Sequence, residues 1–139
     1  MTVEVALALL ERDGRWLLQL RDQNPAIVAP GCWGLFGGHL EAGESAEQGL
    51  RRELLEEINW QPQALELVMV HAIHRRTAHV FRAPLAVALD QLTLLEGQDM
   101  ALVEPEALRA GSIWSERLGC HRPLAAGLRT IFEHVLGTS

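Results

Sequence analysis

The densest chemistry in the chain is a short acidic run, Glu53, Glu56 and Glu57. If residues 46–58 are helical, a turn of about 100° per residue brings the three carboxylates within one arc of about 100°, with Glu53 three and four positions before the others. Carboxylates so close repel one another unless a cation takes up the space between them. Hard oxygen donors grouped this way suit Mg²⁺ or Mn²⁺ better than zinc, and magnesium in turn suggests phosphate chemistry. Taken alone, the three residues read first as a solvated helix face, because glutamate is a good helix former. The residues before them change that balance. A glycine pair, Gly37 and Gly38, leads through a loop carrying Glu44 into the same helix, so backbone can approach whatever the carboxylates hold.

The helix that must present these groups carries its own boundary signals. Ser45 with Gln48 three residues on is a capping-box pattern, Glu47 sits in the first turn, and Asn59 suits a left-handed C-terminal cap ahead of Pro62. Leu50, Leu54 and Ile58 form its buried stripe, within an arc of about 80°. Upstream, the apolar runs 3–10 and 16–20 flank an Asp13-Gly14 turn and read as a β-hairpin. Asn24-Pro25 and Pro30-Gly31 break regular structure over 21–33, and a short strand over 34–40 ends in the glycine pair. Downstream, 64–71 and 79–89 read as an antiparallel pair joined across a polar tip at Arg75-Arg76-Thr77, with Pro84 marking an edge or a bulge. Residues 96–99 form a loop, 100–103 a short strand and 105–108 a helical turn or two. A final amphipathic helix is expected with Pro123 in its first turn and Leu124, Leu128, Ile131, Phe132 and Val135 on its buried face.

Composition bounds the function. At 139 residues, 48% hydrophobic and 22% charged, the chain fits one globular domain over 1–139 with no need of disulfide staples. Cys32 and Cys120 lie far apart without Cys-x-x-Cys spacing and are expected as reduced thiols. No apolar stretch approaches the roughly 20 residues that span a bilayer, and Glu4 interrupts the N-terminal run where a basic leader would stand. A cytoplasmic protein with no membrane partner is expected. The net charge of −6 disfavours binding to a nucleic acid duplex, and most of it falls in 41–57, where six glutamates face two arginines.

The spacing Gly38, Glu44, then Arg52-Glu53-Leu54-Leu55-Glu56-Glu57 and apolar Trp60 resembles the Nudix box. One position departs from it, since Asn59 stands where the family usually has glycine; asparagine tolerates the left-handed conformation, so the turn is expected to survive. The flanking Trp33-Gly34-Leu35-Phe36-Gly37 also resembles the family's entry, with Phe36 where proline is common.

The resemblance implies an α/β fold, an α/β/α sandwich around a mixed β-sheet. It also implies Mg²⁺- or Mn²⁺-dependent hydrolysis of a nucleoside diphosphate linked to another moiety. By resemblance, Glu53, Glu56, Glu57 and the carbonyl of Gly38 hold the metals, Glu44 supports metal-bound water, and Arg52 orients carboxylates. The general base is either a box glutamate, Glu53 or Glu56, or a downstream one, for which Glu96 is the candidate. The proline and tyrosine that mark ADP-ribose and dinucleoside polyphosphate subfamilies are missing from the stretch around Arg75 to Ala78, and the chain has no tyrosine. Elimination leaves nucleoside triphosphates, including oxidised or non-standard ones, as the expected small-molecule substrate. ADP-ribose or a nucleotide sugar is the alternative. A sensing module without catalysis is a second class, disfavoured because every box carboxylate is present. The isopentenyl diphosphate isomerases that share the fold need a larger chain.

Other residues admit two readings. His71, His74 and His79 could suggest zinc but suit strand surfaces better. Arg75 and Arg76 could meet a phosphate or cap a solvated tip. Trp33 and Phe81 could stack on a base or fill the core. An edge strand near Pro84 leaves both a monomer and a homodimer open.

Overall fold

Strand β1 (Val3–Arg12) organises the sheet because its residues are apolar on both faces. Val5 and Leu9 join one hydrophobic cluster, while Ala6, Ala8 and Leu10 join another on the opposite side. A computed structural model describes residues 2–27, 29–73 and 75–136. Strand β2 (Arg15–Leu20) follows a tight turn in which Asp13 and Gly14 both have positive φ. The hairpin pairs only beside that turn, Glu11 with Trp16 and Arg12 with Arg15. Beyond it the two strands take different neighbours. β1 runs parallel to β6 (Arg76–Pro84) and antiparallel to β4 (Phe36–His39), while β2 pairs with β3 (Trp33–Gly34) and β7 (Asp99–Val103). β5 (Glu66–Ile73) pairs antiparallel with β6 at the outer edge. The result among the described residues is a seven-stranded mixed sheet.

Helices cover both faces, as expected of an α/β/α sandwich. α1 (Ala46–Ile58) lays Leu50, Leu54 and Ile58 on one cluster, and α3 (Leu128–Leu136) lays Leu128, Ile131 and Phe132 on the other with Leu108 of α2 (Pro105–Arg109). Truncating one of these fully buried leucines to alanine costs about 2–5 kcal/mol. The boundaries of α1 follow from its caps. Ser45 and Gln48 exchange both capping-box hydrogen bonds, and Asn59 takes φ 53° and ψ 38°, donating its N–H to the Leu55 carbonyl. No helix among the described residues is long and apolar enough to cross a membrane.

Two expectations need correction. The final helix begins at Leu128 rather than at Pro123. Pro123 closes β9 (Cys120–Pro123), which forms a separate hairpin with β8 (Ser112–Ser115). Leu124 then bridges Trp33, and the Ala125 N–H donates to the Trp33 carbonyl at 2.8 Å, so long-range backbone pairing takes up 124–125 and only a turn at 126–127 leads into the helix. The second correction concerns the β5–β6 pair. The strand expected over 79–89 runs instead over Arg76–Pro84, because β6 takes its register from β1, with Val3 opposite Arg76 and Glu11 opposite Pro84. Arg76 thus leaves the hairpin tip and enters the sheet. Trp33 and Phe81 resolve as core residues, Trp33 fully buried with its indole N–H donating to the Ile113 carbonyl.

Candidate active site

The site forms where β4, α1 and the loop ahead of β7 meet. β4 pairs with β1, and its glycines permit close approach. Gly37 has φ 138°, and a Cβ there would lie 2.0 Å from the Ala6 carbonyl oxygen of β1. Its N–H points across to α1 and donates to Glu57 Oε1 at 2.9 Å. At Gly38 a Cβ would fall 2.7 Å from the carboxyl carbon of Glu53, so the missing side chain is the space that this carboxylate occupies.

Glu53 and Glu57 are four residues apart on α1, and Glu96 arrives from the downstream loop. That loop is fixed on both sides of Glu96. The Leu95 N–H donates to the Glu57 carbonyl at 2.8 Å, Gln19 Nε2 donates to the Glu96 carbonyl at 2.9 Å, and the Gln98 N–H donates to Leu20 at 2.7 Å. Carboxylate oxygens of Glu53, Glu57 and Glu96 lie within 4.8 Å of one another, a set of hard donors of the kind that holds a divalent ion. His71 and His79 belong to no comparable group among the described residues, and His79 instead meets Glu4 at 2.7 Å. His74 lies outside the described residues.

Crowding and burial shape the electrostatics. Glu57 is 2% exposed, and burial pushes its carboxyl up to about 9, with the Glu53 and Glu96 carboxylates adding to the rise against the Gly37 hydrogen bond. Burial also raises Glu53, opposed by Arg52. A group that must shed a proton to ionise among its neighbours is one that a cation would favour in the ionised form.

Arg52 binds the rest of the acidic box. It makes a two-pronged pair with Glu44, Nε to Oε2 at 2.7 Å and Nη2 to Oε1 at 3.0 Å, while Nη2 also reaches the His39 carbonyl at 3.1 Å. Its Nη1 is shared between Glu53 at 3.1 Å and Glu56 at 3.2 Å. Hydrogen bonding from Arg52 holds Glu44 below the usual carboxylate range, and the same bond raises the arginine. Glu56 is thus exposed on the Arg52 side and does not converge with Glu53, Glu57 and Glu96. Glu44 spends its oxygens on Arg52 and on the Glu41 N–H, which closes the loop before α1.

The three converging carboxylates open onto a cavity of about 300 Å³. Arg21 and Arg76 line the same cavity, with Asp22, Ala26 and Ile27 from the loop after β2. Arg76 is half-buried, and burial lowers it with help from the neighbouring Arg21 charge. Arg75, next in sequence, is exposed instead. The contributions of Arg21, Gln19 and Asp22 are invisible in a motif, since only the pairing of β2 with β7 and β6 with β1 brings them here. A second cavity of about 280 Å³ lies between α2 and α3 with no cluster of acids in its lining.

The chain is 41% identical to the CTP pyrophosphohydrolase of Escherichia coli K12 over 70 residues, half of each chain. It is 41% identical to the nucleoside triphosphatase NudI of an Escherichia coli O139:H28 strain over 58 residues, 41% of this chain and 40% of that one. The chain thus spans about half, or less, of the length of these curated relatives. In three dimensions it superposes on the MutT NUDIX hydrolase of Burkholderia pseudomallei with a TM-score of 0.73, at 24% identity, over 97% of this chain and 98% of the other. A family model described as the NUDIX domain matches residues 1–117, well over half of the sequence and including every carboxylate of the site, and on that match the protein belongs to the Nudix hydrolase family.

Proposed function

We propose that the chain, as one domain over 1–139, is a Mg²⁺- or Mn²⁺-dependent cytoplasmic pyrophosphohydrolase of nucleoside triphosphates, non-standard ones included. The observation that carries this reading is the convergence of Glu53, Glu57 and Glu96 within 4.8 Å in a cavity that Arg21 and Arg76 also line. Acid and guanidinium lining one cavity suit a polyphosphate that meets protein cations directly and protein carboxylates only through divalent metal. Divalent-metal dependence is general in the family, and the donor set here is all oxygen. Glu53 and Glu57 would hold the ions, with the Gly38 carbonyl and Glu56 beside them and Glu96 adjoining. When bound, the metal neutralises phosphate oxygens and stabilises the charge that builds on the leaving group.

The protein's own groups do the remaining work. Arg21 and Arg76 orient the phosphate chain within the cavity they line. Arg52 positions Glu53 beside the cavity and holds Glu56 on its own side, and Glu44 anchors Arg52. Glu96 is the most exposed of the three converging carboxylates and takes the proton from the attacking water at its carboxylate oxygen. The relatives' names, a CTP pyrophosphohydrolase and a nucleoside triphosphatase, favour triphosphates over ADP-ribose or nucleotide sugars.

The test is pyrophosphate and phosphate release from CTP, the other common and oxidised triphosphates, ADP-ribose and nucleotide sugars, with Mg²⁺ or Mn²⁺ and with chelator. Metal-dependent cleavage of a triphosphate to monophosphate and pyrophosphate is expected. Preferential cleavage of ADP-ribose refutes the substrate, and no cleavage by a folded, metal-binding protein refutes the enzyme. Glu96→Gln should lower kcat by about 10²-fold or more while thermal stability holds. A rate within a few-fold of wild type removes Glu96 as the base.

A further inference from the structure

β5 is the outer strand of the main sheet and, among the described residues, is hydrogen-bonded on one side only, to β6. Natural edge strands are usually blunted by shortness, charged side chains, proline or a bulge that twists the edge away. β5 runs eight residues as Glu-Leu-Val-Met-Val-His-Ala-Ile, with no lysine, arginine or proline. Its register to β6 slips by one residue, so that Leu67 faces Phe81 while Met69 faces Val80. The consecutive residues Val68 and Met69 therefore both pack on the same hydrophobic cluster. Leu67 and Val70, opposite Phe81 and His79, share the other face, although residues three apart on a regular strand point to opposite faces. The bulge turns two apolar side chains into one patch, 51% and 54% exposed. By the same shift Glu66 and His71, opposite Arg82 and Ala78, share the first face.

The strand is therefore symmetric in chemistry about Val68 and Met69: an apolar side chain on each flank, then an acid at one end and an imidazole at the other. A two-fold contact requires this property, because each side chain must find its complement on an identical strand. We propose that β5 is the docking edge for a second copy of this chain, the two strands pairing antiparallel about an axis at the Val68–Met69 bulge. Leu67 then meets the partner's Val70, and Glu66 meets the partner's His71, twice each by symmetry.

Sedimentation equilibrium from about 1 to 100 μM should show a concentration-dependent dimer. Val70→Lys, on an exposed face, should raise its dissociation constant at least about tenfold with an unchanged circular dichroism spectrum. The register is tested separately in a Cys120→Ser background by mixing Leu67→Cys protein with Val70→Cys protein under mild oxidation. A covalent dimer should form in the mixture and far less in either protein alone, because only the 67-to-70 pair comes within the Cα separation a disulfide spans, about 4.4–6.8 Å. A monomer throughout the concentration range overturns the proposal. So does a dimer that Val70→Lys leaves intact, or cross-linking that does not depend on mixing.

Discussion

Gly38→Ala isolates the geometry of the carboxylate site from the stability of the fold. Gly38 does not have a positive φ, so alanine adopts its backbone without strain, but the new Cβ would sit 2.7 Å from Glu53 Cδ and 2.8 Å from both carboxylate oxygens. Ordinary contact begins near 3.4 Å, so the carboxylate must retreat by about 0.7 Å. That group is the end of a flexible side chain, and the retreat should cost the fold no more than about 1 kcal/mol. The same movement breaks a site whose three members converge within 4.8 Å. Misplacement approaching 1 Å costs on the order of 10²-fold in rate, so kcat should fall about that far, with at least tenfold weaker Mn²⁺ binding. Steady-state hydrolysis, a Mn²⁺ titration and a thermal scan on one preparation read all three. Gly37→Ala is the control. Its Cβ would meet a backbone oxygen at 2.0 Å with φ at 138°, and nothing there can give; a loss of about 3 kcal/mol or more is expected. If Gly38→Ala keeps wild-type rate and metal affinity, Glu53 is not held where the structure puts it.

In the metal-free protein the Glu57 carboxyl is pushed up to about 9 from an ordinary 4.5. Between those values the folded state keeps a proton that the unfolded chain has released, so stability is greatest below the lower value and is lost as pH rises through the higher one. The slope is at most about 1.4 kcal/mol per pH unit. Urea midpoints in chelator from about pH 6 to 9 should fall in wild type and flatten in Glu57→Gln; parallel curves would contradict this. Arg76→Ala should raise KM about tenfold with a smaller change in kcat and little change in stability, since the guanidinium lies half-buried beside another. An unchanged KM would place the phosphates elsewhere. Asn59→Gly should raise the thermal midpoint by a few degrees, since asparagine holds φ 53° at some cost; a lower midpoint counts against that cost.

Local signals carried far in this chain. Ser45, Gln48 and Asn59 cap α1 with groups no more than a few residues away, and a 100° helical step aligns Glu53 with Glu57 whatever surrounds them. The opening turn was equally plain in Asp13-Gly14, but not the parting of β1 and β2 beyond it, because β4, β6 and β7 compete for their edges. Pro123 suited a helix start until the backbone of Trp33 claimed the residues after it.

By itself the sequence determined the acidic helix, the glycines before it and hence the family, since these rest on spacing within some twenty residues. Only the tertiary structure decided that Glu96 joins Glu53 and Glu57 while Glu56 turns to Arg52, and that Arg76 faces the cavity while Arg75 does not. Those outcomes depend on strand register and loop anchoring between residues as far apart as Gln19 and Glu96, which no local pattern encodes.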